Sequence, residues 1–192
     1  MRKVIVSEIV SLDGVMEDHP SWTFRFGSEE QERFKSAELV ASDALLLGRA
    51  TYEEFAAAWP HMMDLYQGPR RAELQEYTDM MNGYPKHVVS TALQEPPEWN
   101  NSTIIKNDVA EEVARLKQQP GKDILIFGSG DLVNALMKHG LIDEYRLMVF
   151  PIVLGSGKRL FGDGLDTTVL ELVDTRVFDS GVVVLTYRPA GE

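Results

Sequence analysis

Two stretches of this chain repeat one local pattern, and that pattern leaves few folds open. In "ALLLGRATYEEFAAAW" (44–59) an unbroken apolar run, Leu45 to Leu47, reaches Gly48 and Arg49. It then passes into helical spacing with Tyr52, Phe55, Ala56 and Trp59. "DILIFGSGDLVNAL" (123–136) makes the same passage through Gly128 and Gly130. A strand that is apolar at consecutive positions must be covered on both faces, and strands that lead into helices build parallel sheets.

The rest of the chain fits this frame. Val4–Val10 reads as a first strand ending in the loop "SLDGVMEDHPSW". Ser28 with Gln31 signals a capped helix presenting Phe34, Ala37 and Val40 on one side. Pro60 stops the helix that carries Trp59. Leu74, Tyr77 and Met81 suggest another helix after Pro69, broken between Gly83 and Pro85. His87–Ser90 and Thr103–Ile105 are short strands separated by the turn-rich "QEPPEWNNS" (94–102). Asp108 with Glu111 predicts a cap for a helix burying Val109, Val113 and Leu116. A further helix runs from Leu132 to His139 and closes at Gly140. The tail then changes character: Glu144–Pro151, Thr168–Val173 and Val182–Tyr187 are strands without helices between them. Alternation followed by a strand-only tail predicts one α/β domain, residues 1–192, with a mostly parallel sheet and an antiparallel edge.

Bulk properties exclude several functions. A formal net charge of -11 argues against nucleic-acid binding, which needs a basic face. The absence of cysteine removes disulfides, thiol nucleophiles and cysteine-ligated zinc. No apolar run reaches membrane-spanning length, and Ser7 and Glu8 interrupt any signal-peptide core. The expectation is a soluble cytoplasmic protein acting on a small molecule, with no nucleic-acid or membrane partner.

Helix N-termini present unpaired N–H groups and a partial positive charge, so both glycine junctions are candidate anion sites. At the first, Gly48 allows close approach, Arg49 can fork onto a phosphate, and Thr51 adds a hydroxyl. The alternative is a plain helix start in which Thr51 and Glu54 form a capping box. The second junction lacks the third glycine of G-x-G-x-x-G, because Val133 stands there. "PIVLGSGKRLF" (151–161) fails as a P-loop: Ile152 falls on its first glycine and Arg159 on its hydroxyl residue. His19, His61, His87 and His139 make no metal-ligand pattern, and Ser129 and Ser156 sit in G-S-G rather than a nucleophile elbow. Carboxylates crowd the front of the chain at Asp13, Glu17, Asp18, Glu29, Glu30 and Glu32, where one could serve as a proton donor.

In chain order, "SLDGV" (11–15), "LLLGRATYEEFAAAWP" (45–60), "MNGYPKHVVSTAL" (81–93) and "DILIFGSGDLVNALMKHGLIDEYRLMVFPIVLGSGKRLF" (123–161) resemble the dihydrofolate reductase-like superfamily. Within it they are most similar to the reductase half of the riboflavin-biosynthesis deaminase-reductase and its stand-alone relatives. The resemblance implies a central sheet of about eight strands with helices on both faces, binding NADPH across the strand ends. It implies that Gly48, Arg49 and Thr51 hold the adenosine-side phosphates, with Arg49 toward the 2′-phosphate, and that Ser90 and Thr91 lie at the adenosine end. It places Gly128, Ser129, Gly130, Asp131 and Leu132 over the pyrophosphate and Asp13 in a loop bordering the nicotinamide. Glu30, four residues before Phe34-Lys35, matches the acidic proton donor of dihydrofolate reductases, and Trp22 their upstream tryptophan. Relatives are commonly homodimers.

The implied function is an NADPH-dependent reduction of a pyrimidine- or pterin-like heterocycle. It resembles 5-amino-6-(5-phosphoribosylamino)uracil reductase without the zinc deaminase half, whose cysteines this chain lacks. A non-catalytic nucleotide-binding or oligomerising module on the same fold is an alternative, and true dihydrofolate reductase activity a third.

Overall fold

Alternate residues of three adjacent strands point into two different cores, and that alternation sets the architecture. The computed structural model describes residues 1–93 and 98–191. Strands β1 (Val4–Ser11), β2 (Ser42–Gly48) and β5 (Asp123–Ile126) lie side by side in parallel. Val4, Val6, Ala44, Leu46, Ile124 and Ile126 face one way, toward helices α5 (Val109–Gln118) and α6 (Gly130–Lys138). Ile5, Leu45, Leu47 and Leu125 face the other way, with Leu39, Tyr52 and Met81 of α2 (Glu29–Val40), α3 (Arg49–Ala58) and α4 (Gly68–Gly83). Strands buried on both faces can be apolar at every position, as the Leu45–Leu47 run requires. Each such side chain contributes about 1.5–3 kcal/mol of burial.

The eight-stranded sheet is completed by β3 (Lys86–Val89), β4 (Ser102–Ile105), β6 (Glu144–Phe150), β7 (Leu170–Val177) and β8 (Val183–Pro189). Its order is β4-β3-β2-β5-β1-β6-β8-β7. Only β8 runs against the other strands, pairing antiparallel with β6 on one side and with β7 on the other. Mostly parallel strands, an antiparallel C-terminal edge and helices on both faces are as the sequence led us to expect. A third cluster, with Trp22, Phe150, Phe178 and Val184, fills the space beneath the loop after β1.

Several local details differ from the sequence reading. The loop after β1 contains a short helix, α1 (His19–Thr23), and a 3-10 turn over Phe24–Phe26. Asp108 does precede α5, but in a left-handed conformation with no side-chain cap bond. Residues 94–97 of the turn-rich stretch lie outside the described residues. Trp99, at its far end, is a core residue: its ring covers the buried Lys86 ammonium, 4.3 Å from the ring centroid. That ammonium also donates to the carbonyls of Asn82 (2.6 Å) and Asn100 (3.0 Å). Burial pushes the Lys86 pKa down to about 8.

Helix α2 departs most from its apolar pattern. Ser28 caps it as read, accepting from the Gln31 N–H at 3.3 Å. Val40, however, is exposed, and the side turned to the sheet carries Leu39 beside the charged Lys35 and Glu38. Glu38 is 2% exposed and fully engaged. One carboxylate oxygen accepts from Ser7 Oγ (2.7 Å) and pairs with Lys35 (3.3 Å), while the other meets Arg146 (3.3 Å). Arg146 continues to Glu144 at 2.7 Å. Removing one member of a buried ionic network strands the others without partners. Glu38→Ala is therefore expected to cost about 3–5 kcal/mol, read as a lower denaturant midpoint in urea unfolding.

Candidate functional site

Strand β2 ends at Gly48 and strand β5 at Ile126, so helices α3 and α6 start side by side at the same edge of the sheet. Two hydrogen bonds fasten the starts together. Ser129 Oγ accepts from the Gly48 N–H at 2.9 Å, and the Ser129 N–H donates to Thr51 Oγ1 at 2.9 Å. The geometry needs Gly128 and Ser129 both at positive φ, +58° and +64°. A Cβ at Gly128 would sit 2.8 Å from Thr51 Oγ1, so only glycine lets the turn pass so close to α3. Ser129 tolerates the left-handed conformation because its side chain and its N–H are both anchored.

No side chain caps either helix. The capping box between Thr51 and Glu54 does not form: Gly48 is the residue at the cap, and Thr51 is spent on Ser129. The two uncapped N-termini open onto one cleft of about 1030 Å³. That is at the upper end for small-molecule sites and leaves room for a cofactor and a second ligand. Gly48, Arg49, Thr51, Gly128, Ser129, Gly130, Asp131 and Leu132 all line it, so both predicted junctions converge. Arg49 is half exposed and paired with Glu53 at 3.2 Å, a contact that an incoming phosphate would have to exchange.

The loops after β1 and β6 form the rim. Backbone bonds run from Met16 N to Lys158 O (2.9 Å) and from Leu160 N to Gly14 O (3.0 Å). Lys158 also reaches down to Asp131 of α6 at 2.7 Å. Asp13 belongs to this seam. Its carboxylate accepts from Ser11 Oγ (2.6 Å) and from the N–H groups of Gly155 (2.9 Å) and Leu154 (3.2 Å), and these donors hold its pKa down at about 2. An acid so held is a clamp between loops and a poor proton carrier.

The remaining predicted residues lie elsewhere. Ser90 is buried in the turn after β3, its hydroxyl accepting from the N–H groups of Ala92 and Leu93, and Thr91 is exposed beside it. Val89, at the end of β3, is the residue there that lines the cleft. Glu30 does not face the cleft. It accepts from the Asp179 N–H at 3.0 Å, in a shallow groove with Arg33, Phe34 and Arg176. Helical arithmetic explains the separation. Glu30, Phe34 and Ala37 share one side of α2, whereas Lys35 and Glu38 are rotated from it toward β1.

Among the carboxyls that line the cleft, the buried one is Glu8 of β1, which the sequence reading did not single out. Pairing between β1 and β5 stops at Val6↔Ile126, so Glu8 sits just beyond the last rung, where the strands part. Lys35 lines the same region, its ammonium 2.6 Å from Ser7 Oγ and 5.0 Å from the Phe127 ring centroid. Burial, and then the Lys35 charge, hold the cleft residue His19 below its usual titration. Alternation could have pointed to Glu8, since it occupies the parity of Val4, Val6 and Val10. Among the described residues no cluster of His, Asp and Glu could hold a metal, and no helix is long and apolar enough to cross a membrane.

The mostly parallel sheet with its antiparallel C-terminal edge, and helices on both faces, is the dihydrofolate reductase-like fold. A family model narrows this: residues 2–184 match the RibD C-terminal domain, and the chain belongs to that family. It is 32% identical over 187 residues to the uncharacterized protein YyaP of Bacillus subtilis, covering 97% of this chain and 95% of that one. A protein of Shewanella sp. PV-4 ascribed to riboflavin biosynthesis superposes with a TM-score of 0.76 at 22% identity, covering 98% and 99% of the two chains. Dihydrofolate reductase from Enterococcus faecalis, complexed with NADP(H), gives 0.62 at 16% identity, covering 98% and 97%.

Two outcomes follow from this geometry. Gly128→Ala forces an L-residue into the left-handed region, costing roughly 1–2 kcal/mol before its clash with Thr51 is counted, so thermal unfolding should move to lower temperature. Because the folded pKa of Asp13 is depressed, its clamp is intact above the unfolded value and is lost as pH falls toward 2. The NMR amide resonances of Leu154 and Gly155 should therefore stay put down to about pH 4 and shift below it. In Asp13→Asn they should be displaced at every pH.

Proposed function

We propose that this protein is an NADPH-dependent reductase of a small heterocyclic substrate of the pyrimidine or pterin kind. One observation carries the reading: the Gly48–Ser129–Thr51 hydrogen bonds set two uncapped helix N-termini against one cleft. Aligned N–H groups and helix dipoles favour phosphates at such a place, and two of them side by side suit a pyrophosphate better than a single anion. The glycine turn at Gly128 adds close backbone approach. Membership of the RibD C-terminal family, and a fold shared with a dihydrofolate reductase that binds NADP(H), support the same reading.

Within it, Gly130, Asp131 and Leu132 offer backbone N–H groups to the pyrophosphate from the start of α6. Thr51 Oγ1 accepts from Ser129 and keeps its own proton to donate. Arg49 leaves Glu53 and forks onto the 2′-phosphate that separates NADPH from NADH. The nicotinamide, when bound, supplies hydride. The chain's part is to hold donor and acceptor together, with the rim loops shielding the cleft from water.

Trp59 lines the cleft, so its fluorescence reports binding directly. We expect NADPH to quench it at micromolar concentrations and NADH to bind at least tenfold more weakly. Removing a charge-assisted hydrogen bond of about 1.5–3 kcal/mol should weaken NADPH about 10- to 100-fold in Arg49→Ala, with NADH little changed. No binding of either nucleotide would reject the reading. Tight binding without NADPH oxidation against dihydrofolate, a ribosylaminopyrimidinone and flavins would instead indicate a binding module.

A further inference from the structure

Glu8 is an expensive residue to place where it stands. It is 2% exposed, it lines the cleft, and among the described residues no group hydrogen-bonds its Oε1. A buried polar atom without a partner costs stability and returns nothing to the fold, so it is best explained by a partner that arrives with a ligand. The neighbouring cation does not neutralise it. Lys35 is engaged by Ser7 at 2.6 Å and by Glu38 at 3.3 Å, and Glu38 takes Arg146 as well. The positive charge of this region is already matched by one buried carboxylate, and Glu8 is the second.

We propose that the Glu8 carboxyl recognises an amide edge, a carbonyl and an N–H side by side, on the molecule bound in the cleft. The chemistry follows from the surroundings. A buried acid, with a second carboxylate near enough to repel its charge, holds its proton to higher pH than a free one. Burial raises the Glu8 pKa well above the usual carboxylate range, with Glu38 adding to the rise, while Lys35 and the Gly128 N–H pull against it. A protonated carboxyl offers one O–H donor and one carbonyl acceptor about two ångströms apart, which matches the acceptor and donor of a lactam or carboxamide. A carboxylate offers acceptors only. Glu8 stands where β1 and β5 part, next to the Gly128 N–H, and its carboxyl is within reach of a molecule in the cleft.

Two ligands of the proposed reductase carry this edge: the carboxamide of the nicotinamide and the lactam of a pyrimidine or pterin. The inference rests on the reductase reading for its ligands, and the experiment separates the two. Calorimetric titrations would use NADPH, its 3-acetylpyridine analogue, in which a methyl ketone replaces the carboxamide, and 5,6-diaminouracil. Each is run against the wild type, Glu8→Gln and Glu8→Leu. Glutamine keeps a donor and an acceptor in nearly the same place and cannot titrate; leucine has neither. We expect Glu8→Leu to weaken one amide-bearing ligand at least tenfold and Glu8→Gln to stay within threefold of the wild type. A loss confined to NADPH and absent for its analogue identifies the nicotinamide. A loss confined to diaminouracil identifies the substrate.

The pH dependence has a definite sign. The protonated acid is the binding form, so wild-type affinity falls as pH rises through the upward-shifted Glu8 titration, while Glu8→Gln lacks that fall. Lys35 of α2, Glu17, Asp18 and His19 of the rim, Arg49 and Glu54 of α3, Asp131 of α6 and Lys158 also border this cleft, and Glu38 stands behind Lys35 as its ion-pair partner. Their titrations appear in both proteins and cancel in the comparison. The melting temperature of Glu8→Leu provides the structural control: relief of an orphaned polar group should leave it equal or higher. Unchanged affinities in Glu8→Leu, wild-type affinity that rises with pH, or binding of neither diaminouracil nor NADPH would overturn the proposal. Glu8-dependent binding of diaminouracil without any NADPH binding would instead reject the nucleotide reading and leave this one standing.

Discussion

The site depends on one exchange of hydrogen bonds, in which Gly48 donates to the Ser129 side chain and the Ser129 backbone donates to Thr51. Helices α3 and α6 follow different strands, 81 residues apart in sequence, and nothing in either helix alone requires their N-termini to be neighbours. The paired bonds lock them in register and hold Ser129 in a conformation that serine disfavours. They also consume the hydroxyls that would otherwise cap the helices. What remains at each terminus is a set of backbone donors directed at the cleft. Under the proposed function, diverting these side chains from the helix ends leaves the backbone donors free for an anion, with Arg49 and Lys158 at the same cleft.

Much of this was legible in the sequence because it is local. Apolar runs ending in glycine gave the parallel strands and their junctions, and the strand-only tail gave the antiparallel edge. The order β2-β5-β1-β6 is non-local, and what it decides was not legible. Glu8 next to Ser7 reads as a polar interruption in a strand. It is buried only because β6 and the helices on both faces close around that part of β1. Helix α2 misled in the opposite direction. Its apolar residues Phe34 and Val40 suggested the inward side, whereas the inward side holds Lys35 and Glu38, balanced by Ser7 and Arg146 from strands far away in the chain. Glu30 shares the helix but faces away from β1, which a short motif match cannot register. Trp99 was hidden among turn residues because its partner, Lys86, is a lysine where a hydrophobic residue would be expected.

The polar interior beside the cleft has a physical logic. A fold seeking stability alone would fill the Ser7–Lys35–Glu38–Arg146 region with aliphatic side chains, which often serve at least as well as buried ions. Keeping charges there fixes the orientation of α2 against β1 and β6 and gives the floor of the cleft a defined electrostatic character. Stability is supplied elsewhere, by the doubly covered strands β1, β2 and β5. The molecule therefore separates an apolar half of each strand from a polar end that lines the cleft.

The rim has a mechanical consequence. The loops after β1 and β6 leave adjacent parallel strands, whose pairing runs to Ser11↔Phe150, and they are joined by main-chain bonds and by the Asp13 carboxylate. Neither loop can swing out alone without breaking that seam. The two rim loops are thus tied into one unit anchored on the end of the β1–β6 ladder, so a change in either strand's register would be carried to both sides of the rim.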